Sequence, residues 1–441
     1  MTSLNSFGRN SEKHQFGTPD TSFCVFLKRE SNYPMSIADF QNVNIAAREH
    51  KSNPYPFYAY LRAEHPVYPV ILPDKRTIWL VTRYDDVVAV LKDNRFVKDP
   101  ANVQPGFKTV TQPWLPRFAL PLTRHMLNKD KSDHTRLRGL VNKAFSPQMV
   151  EKMRDRIQFV TSALLAMLVD KKQFDLITDY ALPIPTTVIS EMMGVPEADR
   201  HKFNRWTNAV MQVTTTRWGM LRAIPNVWAF VRYIRKFIRM RRIQPQDDLV
   251  SELVKAEVGG EQLNDDELVG MVFLLLVAGH ETTVNLIGNG ILSLLQHPSQ
   301  MNLLRDDPML IKPAVEELLR FESPVEMGTE RYASEDISIA GVTIPGGSLV
   351  GVVLASANRD GNQFSSADTL DIQREPNKHL AFGVGTHYCT GAPLARMEGQ
   401  IAINTLLRTI PHFRLGIPQE SLRWRPGLVT RGLAALPITI T

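Results

Sequence analysis

Residues 263 to 295 limit the fold of this chain more than any other segment. Apolar side chains fill nearly every face through Met271-Val272-Phe273-Leu274-Leu275-Leu276-Val277. A helix that is apolar all round has to be buried in a large core. Asn264 can cap it, with Glu267 three residues on as the partner of a capping box. The chain is therefore predicted to build around one long central helix. With 441 residues, 43% of them hydrophobic, it has enough apolar surface to do so. No stretch of about 18 apolar residues is free of charge, which argues against a transmembrane helix. Phe23-Cys24-Val25-Phe26-Leu27 is too short for the core of a signal peptide. Both readings make the expected location cytoplasmic.

The pattern around that helix is mainly helical with a small strand-rich side. Residues 1–35 are polar and irregular and read as an extension; 36–441 read as one catalytic domain. Helical period dominates from Ser132 to Leu319, in segments near 133–145, 147–169, 178–193, 197–213, 218–242, 246–257, 264–296 and 308–321. Prolines such as Pro147, Pro196, Pro245, Pro298 and Pro308 punctuate them. Earlier come short helices at 57–64 and 84–92, two strands at 67–72 and 77–82, and a proline-rich loop over 100–121. Later come strands at 337–344 and 348–355 around Pro345-Gly346-Gly347, a last helix near 391–409, and short strands near Trp424 and 436–438. Residues 228–242 carry an apolar stripe (Trp228, Val231, Ile234, Ile238) beside six basic residues, as expected of a surface helix that packs one face.

Two cysteines, Cys24 and Cys389, exclude a disulfide framework. Cys389 sits in Phe382-Gly383-Val384-Gly385-Thr386-His387-Tyr388-Cys389-Thr390-Gly391, ahead of a helix. Glycines permit a tight turn and leave backbone N–H groups free to face the sulfur. The start of a helix adds partial positive charge, and both features favour a thiolate. A cysteine alone could equally be a small buried apolar residue. On the long helix, Ala278-Gly279-His280-Glu281-Thr282-Thr283 interrupts the apolar run. Small residues leave room for a flat ligand or for oxygen, and a buried acid and hydroxyl suit proton delivery. A satisfied polar kink is the plainer alternative.

The cysteine loop resembles the haem-binding loop of the cytochromes P450, Phe-Gly-x-Gly-x-His-x-Cys-x-Gly, followed by Leu394-Ala395. The helix segment is similar to that family's Ala-Gly-x-Glu/Asp-Thr-Thr/Ser motif. The resemblance runs over about residues 53–441, with the motifs in family order. It implies the family's α+β fold, a triangular prism with the long helix over haem b, and Cys389 as the iron ligand. It also implies that Phe382 packs by the sulfur and that Gly383 and Gly391 shape the loop. Ala278 and Gly279 would make room over the cofactor, and Glu281 and Thr282 would relay protons. His134, Arg138, Arg331 and His387 would hold the haem propionates. Glu317 and Arg320, with Arg374, would form a buried structural trio, although by spacing alone the pair could be solvated charges. His134 and Arg138 could likewise be a solvent-facing basic turn. Lys131-Ser132 stands where relatives often have proline.

The resemblance implies an oxygen-dependent monooxygenase that hydroxylates or epoxidises a bulky, mainly apolar small molecule such as a macrolide, terpenoid or steroid. Val325, Met327, Leu428 and Val429 would face it, and Glu326 reads as a solvated or salt-bridged acid. The chain carries no flavin or ferredoxin module, so a separate ferredoxin with its reductase would supply two electrons. The net charge of +6 suits an acidic donor. Scattered basic residues without a nucleic-acid motif argue against nucleic acid. Other chemistry on the same fold (oxidative coupling, dehydration, peroxygenation) and a non-catalytic haem sensor are the competing expectations. The intact Glu281-Thr282 pair weighs against a peroxide-only enzyme and against a sensor.

Overall fold

The central helix forms where its capping signals place it. A computed structural model describes residues 43–109, 115–200, 202, 206 and 217–441. From Asn44 onward they form one compact unit. The expected boundary at residue 35, Cys24 and most of the helix expected over 197–213 lie outside the described residues.

Fourteen helices are used below, all among the described residues: α1 Arg48–Ser52, α2 Tyr55–Glu64, α3 Tyr84–Lys92, α4 Lys131–Ala144, α5 Pro147–Lys152, α6 Arg154–Leu168 and α7 Pro183–Met192; then α8 Arg217–Ile243, α9 Leu249–Lys255, α10 Asp265–Gln296, α11 Pro298–Asp306, α12 Ile311–Phe321, α13 Leu354–Ala357 and α14 Ala392–Thr409. The Asn264 side chain accepts from the N–H groups of Asp266 and Glu267, and the Glu267 carboxylate accepts from the Asn264 N–H at 2.9 Å. That capping box starts α10, which packs against α7, α8, α12 and α14. By length and composition α10 could cross a membrane, but 61% of its most apolar window is buried inside the protein. It is the core helix that its all-round apolarity predicts.

Two small sheets flank the helices. The larger pairs β1 Val67–Ile71, β2 Thr77–Val81, β10 Leu349–Val352, β7 Arg331–Ala333 and β3 Phe96–Val97, in that order. Only β2 and β10 run parallel, with Ile78 opposite Leu349. The second sheet orders β11 Phe413–Leu415, β12 Pro437–Ile440 and β4 Gln173–Asp175. The hairpin β5 Glu257–Val258 with β6 Glu261–Gln262 stands apart.

Several expectations are corrected. Residues 147–169 are two helices meeting at Met153. Residues 178–193 open with a π turn, Ile177–Ala181, before α7. Residues 308–310 are a 3₁₀ turn, and α11 lies in a stretch the periodicity left blank. The strand expected over 337–344 is the hairpin β8 Ile337–Ile339 and β9 Val342–Ile344, turned at Ala340 (φ 50°) and Gly341 (φ 77°). The strand expected over 348–355 ends at Val352 and becomes α13; it pairs with β2 and β7, not with β9. Alternation predicts extended backbone but carries no information about the partner strand.

On α8, Val231, Ile234 and Ile238 are buried as expected. Trp228 is 48% exposed, with the Arg232 guanidinium 5.1 Å from its ring. Arg241 departs from the basic face. It is buried, pairs with Asp248 at 2.5 Å and donates to the Gly194 carbonyl at 2.8 Å.

Candidate functional site

The cysteine loop takes the shape its glycines allow. Gly383 and Gly385 adopt φ of 68° and 76°, a region that side chains with a Cβ rarely enter. The Cys389 N–H donates to the Phe382 carbonyl at 3.0 Å and the Tyr388 N–H to the Gly385 carbonyl at 3.1 Å. Gly391 caps α14, and the N–H groups of Gly391 and Ala392 face the sulfur. Their attraction, with the charges of Arg138 and Arg396, lowers the Cys389 pKa, but burial pushes it up by more.

The Cys389 side chain is exposed by area yet surrounded by protein, the combination that an internal cavity produces. That cavity contains about 1520 Å³ of space, counting its open mouth. One wall is α10, through Leu274, Leu275, Ala278, Gly279 and Thr282. The loop contributes Phe382, Gly383, His387, Cys389 and Gly391. His134 and Arg138 enter from α4, and Arg331 from β7.

The polar groups on this wall are underused. Neither ring nitrogen of His134 has a partner. Arg331 is buried and donates to the Thr329 carbonyl at 3.2 Å; Arg138 donates to the Tyr388 carbonyl at 2.6 Å. Among the described residues neither arginine forms an ion pair, and burial lowers both, Arg331 to about 10. Burial, then the neighbouring positive groups His134, Lys98, Arg331 and Arg138, lowers His387 to about 2. Buried cations without counter-charge are costly. A flat, apolar, dianionic guest with a metal facing the sulfur answers that lack. The residues present thus fit a haem: one sulfur, two guanidinium groups, two imidazoles and an apolar slot.

The structure also sorts the other predicted residues. Phe382 lies under the Arg396 guanidinium, 4.5 Å from its ring centroid. Arg396 in turn pairs with Glu316 at 2.7 Å; against burial, hydrogen bonds from His379 and then Arg396 hold the Glu316 carboxyl near 2. Glu317 and Arg320 are wholly buried and joined by two bonds of 2.7 Å; the Arg374 Nε reaches Glu317 at 3.1 Å. Asn377 and the Asp371 N–H also donate to Glu317. The structure brings the three together, with Glu317 and Arg320 wholly buried and Arg374 at their solvent side. Thr282 lines the cavity, while Glu281 lies off its wall and accepts from Thr430 at 3.2 Å.

Of the four substrate-facing expectations, Val325 lines the cavity. Met327 is turned away, its sulfur packed by Gly351 on β10. Leu428 and Val429 are not on the cavity wall; the Val429 carbonyl accepts from the N–H groups of Glu326 and Met327. Glu326 is fully buried, accepts from Lys51 at 2.8 Å and is hydrogen-bonded to Tyr58. Pairing along an extended segment sends alternate side chains to opposite faces, so Val325 and Glu326 part company.

Sequence reasoning missed Glu398, the one carboxylate on the cavity wall among the described residues. It lies on α14, is 2% exposed, and has an Oε2 without a partner. Burial raises it to about 8 against a hydrogen bond from Thr283. The available signal was an acid four residues after Leu394, on the face that α14 buries.

Comparison with known proteins places this geometry. The family model Cytochrome P450 matches residues 40–309 and 305–428. Cytochrome P450 107B1 of Saccharopolyspora erythraea is 45% identical over 86% of this chain and 93% of its own length. The solved structure of the bacillaene polyketide synthase cytochrome P450 PksS of Bacillus subtilis superposes with a TM-score of 0.84 at 41% identity, covering 90% of this chain and 100% of that one. The mycinamicin IV hydroxylase/epoxidase of Micromonospora griseorubida is 40% identical over 86% of this chain and 94% of its length.

Proposed function

The chain belongs to the cytochrome P450 family, and we propose that it is a haem-thiolate monooxygenase of secondary metabolism with Cys389 as the iron ligand. It is an oxidoreductase with haem b as its cofactor, acting on a small molecule with dioxygen and electrons from a redox partner. The reaction is hydroxylation or epoxidation of a bulky, mainly apolar compound. Relatives acting in polyketide biosynthesis and on mycinamicin IV support a macrolide-like substrate. A ferredoxin and its reductase are the proposed donors, in the cytoplasm.

The observation that carries this reading is the cavity itself: one sulfur at its base, facing α10 across an apolar slot, with the Arg138 and Arg331 guanidinium groups, which form no ion pair among the described residues, and a His134 ring whose nitrogens have no partner. When bound, the haem supplies dioxygen activation, and a thiolate ligand favours O–O cleavage. His134, Arg138, Arg331 and His387 would hold the propionates, and Arg can do so bidentately. Ala278 and Gly279 keep α10 thin over the guest. Phe382 and Leu394 exclude water near the sulfur. Thr282 presents a hydroxyl to the cavity, and Glu281 one residue before it supplies the proton from the solvent side. Val325 borders the substrate.

The test is the carbon monoxide difference spectrum of the reduced protein and of Cys389→Ser. A long-wavelength Soret band, lost in the variant, supports the reading. A haem-free protein, or a band indifferent to the substitution, overturns it.

A further inference from the structure

The side chains of the acid and the threonine proposed to relay protons are each hydrogen-bonded to another partner in this structure. Thr282 donates to the Ala278 carbonyl one turn back at 2.8 Å. Glu281 is held elsewhere, by a segment after β11. Thr430 Oγ1 donates to Glu281 Oε1 at 3.2 Å, and Arg425 Nη1 stands 3.9 Å from the same oxygen.

That segment is firmly placed. Thr430 forms an antiparallel bridge with Val325, the residue that lines the cavity. The Arg431 N–H donates to the Pro324 carbonyl at 3.0 Å, and Asn289 on α10 donates to the Arg431 carbonyl at 3.0 Å. Gly432 lies so close to Asn285 that a Cβ there would come within 1.9 Å of its Oδ1. Arg425 bonds the Leu433 carbonyl at 3.0 Å and Asn285 at 3.3 Å. The segment is thus stitched to α10 on one side and to the cavity-lining residues Pro324 and Val325 on the other.

We propose that Thr430 is a positioning residue for the Glu281 carboxylate: it holds the acid turned away from the cavity, and its strand pairing with Val325 fixes the distance between them. This rests on the haem-monooxygenase reading above. Arg425, 38% exposed, faces the same carboxylate from the solvent side. The acid is a quarter exposed and lies off the cavity wall, so it has to turn from Thr430 before it can share a hydrogen bond with Thr282. A short hydroxyl on a paired strand can hold a carboxylate in one rotamer, where a surface arginine at 3.9 Å contributes less direction.

The experiment uses the haem-loaded protein as its ferrous carbon monoxide complex, with carbon monoxide as the probe. The infrared C–O stretch reports charge near the bound gas and needs no turnover. Thr430→Val removes the donor and is expected to shift or split the band as the carboxylate samples the cavity. Thr430→Ser keeps the hydroxyl and is expected to keep the wild-type band. Glu281→Gln in the Thr430→Val background is expected to cancel the shift, which assigns it to Glu281 and not to a repacked strand. A Thr430→Val band coincident with wild type in a fully loaded protein overturns the proposal. A shift that survives Glu281→Gln also overturns it. A wild-type protein that forms no thiolate-type carbonyl complex overturns the underlying reading instead, and the two failures are distinct.

Discussion

The imidazole rings of His134 and His387 lie with their centroids 4.2 Å apart, and neither nitrogen of His134 has a hydrogen-bond partner. Burial and the adjacent Arg138 lower the His134 pKa. Two rings 253 residues apart in sequence thus share the cavity wall with Arg138 and Arg331.

The first prediction concerns that wall. His134→Ala removes one donor to the proposed propionates, and a hydrogen bond to a charged group contributes about 1.5–3 kcal/mol. Haem transfer to apomyoglobin is expected to be about 10-fold faster or more. The Soret position of the carbonyl complex should stay put, because the sulfur is untouched. Arg138→Gln should act in the same direction, with stronger salt dependence.

The Glu317–Arg320–Arg374 trio should behave as a fold determinant. Both members of the inner pair are wholly buried and share two 2.7 Å bonds. Removing one charge strands the other, which costs about 3–5 kcal/mol. Arg320→Ala is expected to give mostly haem-free, aggregated protein. Glu317→Gln should also lower the urea midpoint, since it strands the Arg320 charge and puts an amide NH2 where a carboxylate oxygen accepted from donors.

A second buried pair joins α1 to the substrate border. Lys51 and Glu326 are both wholly shielded, and burial lowers the lysine and raises the acid. Lys51→Met leaves Glu326 with Tyr58 alone and is expected to destabilise by about 3–5 kcal/mol. Adding Glu326→Gln to that variant should recover part of the loss, as read in urea unfolding. Equal stability of the single and double variants would remove the pair from the account.

Glu398 gives a pH signature. Burial raises its carboxyl to about 8 from an ordinary 4.5. A carboxyl whose folded pKa lies above its unfolded one favours the fold while protonated. That contribution is full below about pH 4.5 and is lost as pH rises through about 8. Wild-type Tm should therefore fall between pH 5 and 9 more steeply than that of Glu398→Gln. The gap at pH 9 is expected to be on the order of several kcal/mol. Parallel pH profiles would sink this assignment.

Much of this was legible from local patterns. The capping box at Asn264 and Glu267 and the positive-φ glycines at 383 and 385 depend on neighbours a few residues away. They appear in the structure as read. The Glu317–Arg320 spacing is likewise local, but its burial is not. Sequence left solvated charges open as an alternative, and packing of residues 358–377 around the pair closed it. Arg241 shows the opposite failure. It sits in a basic run, yet Asp248 and the Gly194 carbonyl draw it inward.

The sequence by itself determined which residues could do chemistry: a cysteine in a glycine loop, an acid and hydroxyl in a buried helix, cations for a dianionic guest. Backbone sterics and helical period are properties of short segments, so a string of letters carries them. Tertiary structure alone decided where those groups point. Whether Glu281 bonds Thr282 or Thr430, and whether Val325 or Met327 meets the substrate, depends on contacts between segments well separated in the chain: Glu281 with Thr430, Val325 with Thr430 and Met327 with Gly351. Side-chain direction follows from which strand pairs with which and in what register. That pairing is settled by burial over the whole chain and not by any window of it.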